Sequence, residues 1–110
     1  MPTRQIVWLP KALRDLARLR SLLKDKNPIA ARKAVDVIKN GVKELNKNPK
    51  IGLPVSVEEG DDPELTWFRD LYIKFGNGNY VIRYRVDEEE EIISSTIVVI
   101  AQLWHSKEDR

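Results

Sequence analysis

The sequence predicts a two-layer α+β domain ordered β-α-α-β-β-β, a helical hairpin packed on a mainly antiparallel four-stranded sheet. Three observations carry this. Residues 79–86 alternate in twos, with Tyr80, Ile82, Tyr84 and Val86 on one side and Val81, Arg83 and Arg85 on the other, as a half-buried strand does. Between Lys11 and Lys47, apolar residues recur twice at helical spacing. The run Ile97-Val98-Val99-Ile100-Ala101 is apolar on both faces, which suits a strand well inside a sheet.

Gln5-Ile6-Val7-Trp8-Leu9 reads as the first strand, and Pro10 ends it because proline can open a helix but not continue a ladder. In the first helix, from about Lys11, Ala12, Leu16, Leu19 and Leu23 form an apolar stripe that Leu13 and Leu22 widen. Asn27 suits an N-cap and Pro28 a first helical turn, so the second helix follows at once and the pair forms an antiparallel hairpin. Its stripe is Ala31, Ala34, Val35, Ile38, Val42 and Leu45. Gly41 interrupts it at about 1 kcal/mol against alanine, a cost that signals close packing on a neighbour. The stretches 48–54 and 58–64 read as loops, the second acidic, and a solvated surface is the better reading of it than a cation site or a contact for a basic partner. A strand is expected over 65–75, with Trp67, Arg69, Leu71, Ile73 and Phe75 on one face. Gly76-Asn77-Gly78-Asn79 turns the chain into the alternating strand, the expected centre of an antiparallel meander. Acidic residues 87–91 turn it again into a last strand over 92–104.

At 110 residues the chain is expected to be one domain, 1–110, with a core that needs neither disulfide nor metal. It has no cysteine, which excludes thiolate chemistry, and one histidine, which excludes a histidine-rich metal site. No cofactor is implied. The start has no signal-like apolar run and no segment is long enough to span a membrane, so a cytoplasmic setting without membrane contact is expected. The net charge of +2 hides a polarity: residues 1–50 hold 13 Lys/Arg against 4 Asp/Glu, and residues 51–110 hold 6 against 13. That pattern fits an acidic partner or nucleic acid, and fits solvated faces equally well.

Phosphate loops, nucleophile signatures and metal motifs are absent from the sequence. The cationic and aromatic residues of the expected sheet remain: Arg69, Lys74, Arg83, Arg85, Trp104 and His105, with Lys107 beyond them. Arg83 and Arg85 share a face and either form an anion site or lie over the sheet paired with acids. His105, a lone histidine after a strand, reads more readily as a structural or partner-contact residue than as a catalyst.

The fragments Val7-Trp8-x-x-x-Ala12 leading into Asp15-Leu16, Asn27-Pro28-x-Ala30-Ala31, Asn48-Pro49-x-x-Gly52, Arg69-Asp70-Leu71, residues 80–86 and Leu103-Trp104-His105 together resemble the RelE/ParE toxin superfamily of type II toxin–antitoxin, or plasmid stabilisation, systems. The resemblance covers nearly the whole chain, and the order of the fragments makes it specific. It implies a toxin neutralised by a cognate antitoxin, as a homo-oligomer or a heterotetramer with that antitoxin. It also implies one of two targets: RelE-like members cut ribosome-bound mRNA, and ParE-like members poison DNA gyrase.

RelE-like toxins place an arginine after the aromatic that opens the central strand, where this chain has Val81. They carry lysines along the preceding strand, where of Tyr72 and Lys74 only the second is basic. They often close the last strand with a basic residue and arginine, where this chain has His105 and Ser106. RNA cleavage by a 2′-hydroxyl needs a base, a charge stabiliser and an acid, and only Lys74, Arg83, Arg85 and His105 are left to share these roles. The resemblance is therefore closer to the ParE branch, and implies a gyrase inhibitor without catalysis of its own. Its target-contact candidates are Arg69, Arg83, Arg85, Trp104, His105 and Lys107. An mRNA interferase and a non-toxic interaction module are the alternatives. Leu16, Leu19, Leu23, Lys39 and Lys43 on the hairpin are the antitoxin-contact candidates.

Overall fold

A computed structural model describes residues 3–88 and 95–108. Its elements are β1 (Thr3–Trp8), α1 (Pro10–Lys24), α2 (Pro28–Lys47), β2 (Leu53–Pro54), a 3-10 turn (Pro63–Trp67), β3 (Phe68–Phe75), β4 (Gly78–Glu88) and β5 (Ser95–His105). The expected architecture is present, with five strands in place of four: the sheet runs β1-β5-β4-β3-β2. The fifth strand is the two-residue β2, which pairs Leu53 with Asp70 and Pro54 with Arg69 inside the stretch expected to be a loop. The meander β3-β4-β5 is antiparallel and β4 is its centre, while β1 joins β5 in parallel.

Helix caps and stripes behave largely as their residues dictate. The Asn27 side chain accepts the N–H groups of Ile29 and Ala30, both at 3.1 Å, and Pro28 opens α2. Ala31, Ala34, Ile38 and Leu45 are buried on the sheet, while Leu13 and Leu22 of α1 are 52% and 54% exposed and do not widen its buried stripe. Gly41 is buried where a β-carbon would strike the Ile73 side chain of β3, so the glycine is the condition for α2 to lie that close.

Tyr80, Ile82 and Tyr84 of β4 are fully buried against the helices. Tyr84 reaches the loop before β2, where its hydroxyl oxygen accepts the Gly52 N–H at 2.8 Å, giving a buried amide a partner. Leu71, Ile73 and Phe75 face the core as expected, but Trp67 belongs to the 3-10 turn and is 63% exposed. Val98 to Ala101 are buried between β1 and β4. The ladder slips there: Arg83 pairs with Gln102 and Tyr84 with Ile100, so Ala101 has no opposite number. This bulge turns both Leu103 and Ile100 to the helices and Trp104 and Gln102 to the open face. The first residues of the expected last strand, 92–94, lie outside the described residues.

Candidate functional site

The candidate residues are spread over two opposite faces of the sheet, His105 and Arg69 on the helix side and Lys74, Arg83, Arg85 and Trp104 on the open face. His105 lies opposite Tyr80, on the helix side, and its ring meets the tyrosine edge-on with centroids 5.0 Å apart. Its Nδ1 accepts the Lys107 N–H at 3.2 Å, which leaves the proton on Nε2, 3.0 Å from the Phe75 carbonyl oxygen that it donates to. Both ring nitrogens are thus used by backbone groups, and a general base needs a free lone pair.

Arg83 stands on the open face opposite Asp70, and the two form a fork: Nε to Oδ1 and Nη2 to Oδ2, each 2.9 Å. Its guanidinium also lies 5.0 Å from the Trp104 ring centroid. The Asp70 hydrogen bond raises the Arg83 pKa above its already high value despite burial. Arg85 is half-buried and pairs with Asp87 at 3.2 Å, so the arginines of this face meet carboxylates and do not stand together as an open anion site. Arg69 donates to the Gly52 carbonyl oxygen at 2.8 Å and braces the loop before β2. Lys74 is exposed opposite Asn79 on the open face, without an ion pair among the described residues. From Asp70 to Lys74 is roughly 13 Å of strand, so Lys74 is remote from the Arg83 fork, and His105 lies on the other face.

One cluster was not foreseen. Asp15 of α1 is 3% exposed, yet its carboxylate accepts the Leu103 N–H at 3.0 Å, an Arg18 Nη1 hydrogen bond at 2.6 Å and a Lys11 Nζ hydrogen bond at 3.2 Å. Arg18 continues to Glu108, with Nε–Oε2 and Nη2–Oε1 both 3.2 Å, and Glu108 accepts the His105 N–H at 2.9 Å. Burial pushes the Asp15 carboxyl up, but the Leu103 N–H, Arg18 and Lys11 outweigh it and the pKa falls below its ordinary value. Glu108 follows the same pattern: burial raises it, and Arg18 with the His105 N–H lowers it further. The signal was present in the sequence, since Asp15 falls on the Ala12–Leu19 stripe where an apolar residue is due.

Two of the clefts are bordered by α1. One, of about 460 Å³, lies between Leu19, Leu22 and Leu23 of α1 and Phe75, Tyr80 and His105, with Lys26 and Lys107 at its walls. The other, of about 400 Å³, runs between α1 and α2 and includes Lys39. Of the antitoxin-contact candidates, Lys39 and Lys43 are exposed, Leu16 and Leu23 are half-buried against the core, and Leu19 is 4% exposed. Among the described residues no cluster of His, Asp and Glu could hold a metal ion, and no helix is long and apolar enough to cross a membrane.

A family model described as "ParE toxin of type II toxin-antitoxin system, parDE" matches residues 6–110. Toxin RelE3 of Caulobacter vibrioides is 35% identical over 101 residues, covering 92% of this chain and 92% of that protein. The fold is that of a solved structure titled "Chromosomal ParDE TA system from P. aeruginosa", with a TM-score of 0.68 at 22% identity over 96% of this chain and 98% of that one.

Proposed function

The chain belongs to the ParE toxin family of type II toxin–antitoxin systems, within the RelE/ParE superfamily, and on that premise we propose that it arrests growth by binding DNA gyrase, without cutting RNA. The observation that carries this reading is the state of His105, whose two ring nitrogens are both engaged by backbone groups. Arg83 supports it, because a guanidinium forked on Asp70 has its charge met and offers little to a developing phosphate charge. Target contact then falls to the end of β5, where Trp104, His105 and Lys107 are held by the Asp15–Arg18–Glu108 network, with Arg83 against Trp104 and Arg69 and Arg85 further along the sheet. Gyrase supercoiling assays with the purified chain, alongside induction in cells, test this. Growth arrest with unchanged gyrase activity overturns it.

A second reading is favoured by the name of the Caulobacter relative and by Lys74, an exposed cation on the open face without an ion pair among the described residues: a ribosome-dependent mRNA interferase using Lys74, Arg83 or Arg85, and His105. Codon-specific cuts in ribosome-bound mRNA that vanish in His105→Ala would establish it over gyrase inhibition.

A cognate antitoxin follows from family membership. We place it along the helical hairpin, where Lys39 and Lys43 offer charge and Leu16, Leu19 and Leu23 an apolar flank. Its association rate should then fall as salt rises; a salt-independent rate removes the hairpin charges from the encounter.

A further inference from the structure

The helical layer and the β2 edge of the sheet carry opposite charge. The groove between α1 and α2 is lined by Arg20, Lys24, Arg32 and Lys39, with Ala31 and Val35 between them and Asp36 as its one acid. None of those four cations has an ion-pair partner among the described residues. Exposed cations over a small apolar floor suit an acidic segment that brings an apolar side chain with it.

The chain carries such a segment. Between β2 and β3, Glu58, Glu59, Asp61, Asp62 and Glu64 are all exposed, with no cation among residues 55–66. The loop holds its own shape: Asp61 accepts the Glu58 N–H at 2.9 Å, Asp62 accepts the Glu64 N–H at 3.0 Å, and the Leu65 N–H bonds the Asp62 carbonyl oxygen at 3.1 Å. Two carboxylates are thereby used on the loop's own backbone. Glu58, Glu59 and Glu64 have no cationic partner among the described residues, and Trp67, 63% exposed, ends the same segment. Because the loop is ordered before contact, docking it costs little further chain entropy.

We propose that the groove between α1 and α2 receives the acidic loop Glu58–Glu64 of a second copy of this chain, with Trp67 laid on Ala31 and Val35. Free toxin then associates through charge, either as a two-fold pair that forms both contacts at once or head to tail. The attraction reaches about 30 Å at 0.01 M salt and about 3 Å at 1 M, so association belongs to low ionic strength.

Sedimentation equilibrium of the full free chain at low and high salt tests this, with two charge-reversed variants. At low salt the average mass of the native chain should rise above that of one chain with concentration, and at high salt return to it. Arg20→Glu with Arg32→Glu makes both patches acidic, and Glu58→Lys, Glu59→Lys and Glu64→Lys together make both basic. Each variant alone should associate about tenfold more weakly or worse. Mixed in equal amounts they should associate again, because each then offers the other a complementary groove and loop. That recovery also shows that both variants are folded. A native chain that stays single at low salt overturns the proposal. So does association that ignores salt, association that survives either reversal, or a mixture that stays single; the last two outcomes would assign the groove to a partner other than this chain.

Discussion

The carboxylate of Asp15, in the middle of α1, accepts the backbone N–H of Leu103 in β5 at 3.0 Å, joining the first helix to the last strand through a buried charge. Replacing it by alanine leaves that N–H buried without an acceptor and Arg18 with only Glu108 and the Leu103 carbonyl oxygen as partners. Asp15→Ala should cost about 2–4 kcal/mol, read as a lower urea midpoint. Asp15→Asn, which keeps an acceptor oxygen, should cost less; equal losses would mean that the charge, not the hydrogen bond, stabilises the junction.

Acid should loosen the same junction. Asp15 and Glu108 have pKa values below their ordinary 3.8 and 4.5, because hydrogen-bonded cations and N–H groups outweigh burial. A lowered carboxyl contributes stability above its unfolded pKa and loses it as pH falls through the folded one. Thermal midpoints should therefore drop between about pH 5 and pH 2. Asp15→Asn with Glu108→Gln should flatten that drop, and parallel curves for the two proteins would place the acid sensitivity elsewhere.

Gly41 of α2 and Ile73 of β3 test the spacing of the two layers. Gly41→Ala improves helix propensity by about 1 kcal/mol, yet its methyl must displace Ile73, and overpacking of that kind costs about 1–3 kcal/mol. The substitution should be destabilising overall. Adding Ile73→Val should recover part of the loss; strictly additive effects would show that the two positions do not compete for the same space.

Lys74 separates the two functional readings without disturbing the fold. It is exposed and without an ion pair among the described residues, so Lys74→Ala should change stability by less than about 0.5 kcal/mol. Under the gyrase reading, growth arrest on induction persists in this variant. Arrest abolished at unchanged protein level would favour the interferase.

What the sequence disclosed follows from where one force dominates. In residues 80–86 alternation specifies which side chains face the helices, and Tyr80, Ile82 and Tyr84 do; Val81 on the other face is buried as well, which alternation does not disclose. Ile97–Ala101 are apolar on both faces, so nothing in the letters marks a slip of one residue, and the Ala101 bulge stayed hidden. Trp67 continued the alternation of β3 in the sequence, but Pro63 and the Asp62 cap start a 3-10 turn that leaves it outside. β2 is two exposed residues held by backbone pairing, a signal that side-chain patterns do not carry. At the site, the arginines were legible as candidates and their partners were not, since Asp70 meets Arg83 only once the register of β3 on β4 is known.

The parallel pairing of β1 with β5 has a consequence for the making of the protein. Thr3 is paired with Ser95 and Trp8 with Ile100, so β1 leaves the ribosome well before the strand it pairs with. At about 5–20 residues per second, β1 waits several seconds for β5, with only local units such as the α1–α2 and β3–β4 hairpins able to form meanwhile. A nascent or prematurely terminated chain therefore has neither the finished sheet nor the Asp15–Leu103 junction. Under the target contact proposed at the end of β5 this timing is protective: a copy stopped before β5 lacks that surface, and an antitoxin need only meet chains that have passed it.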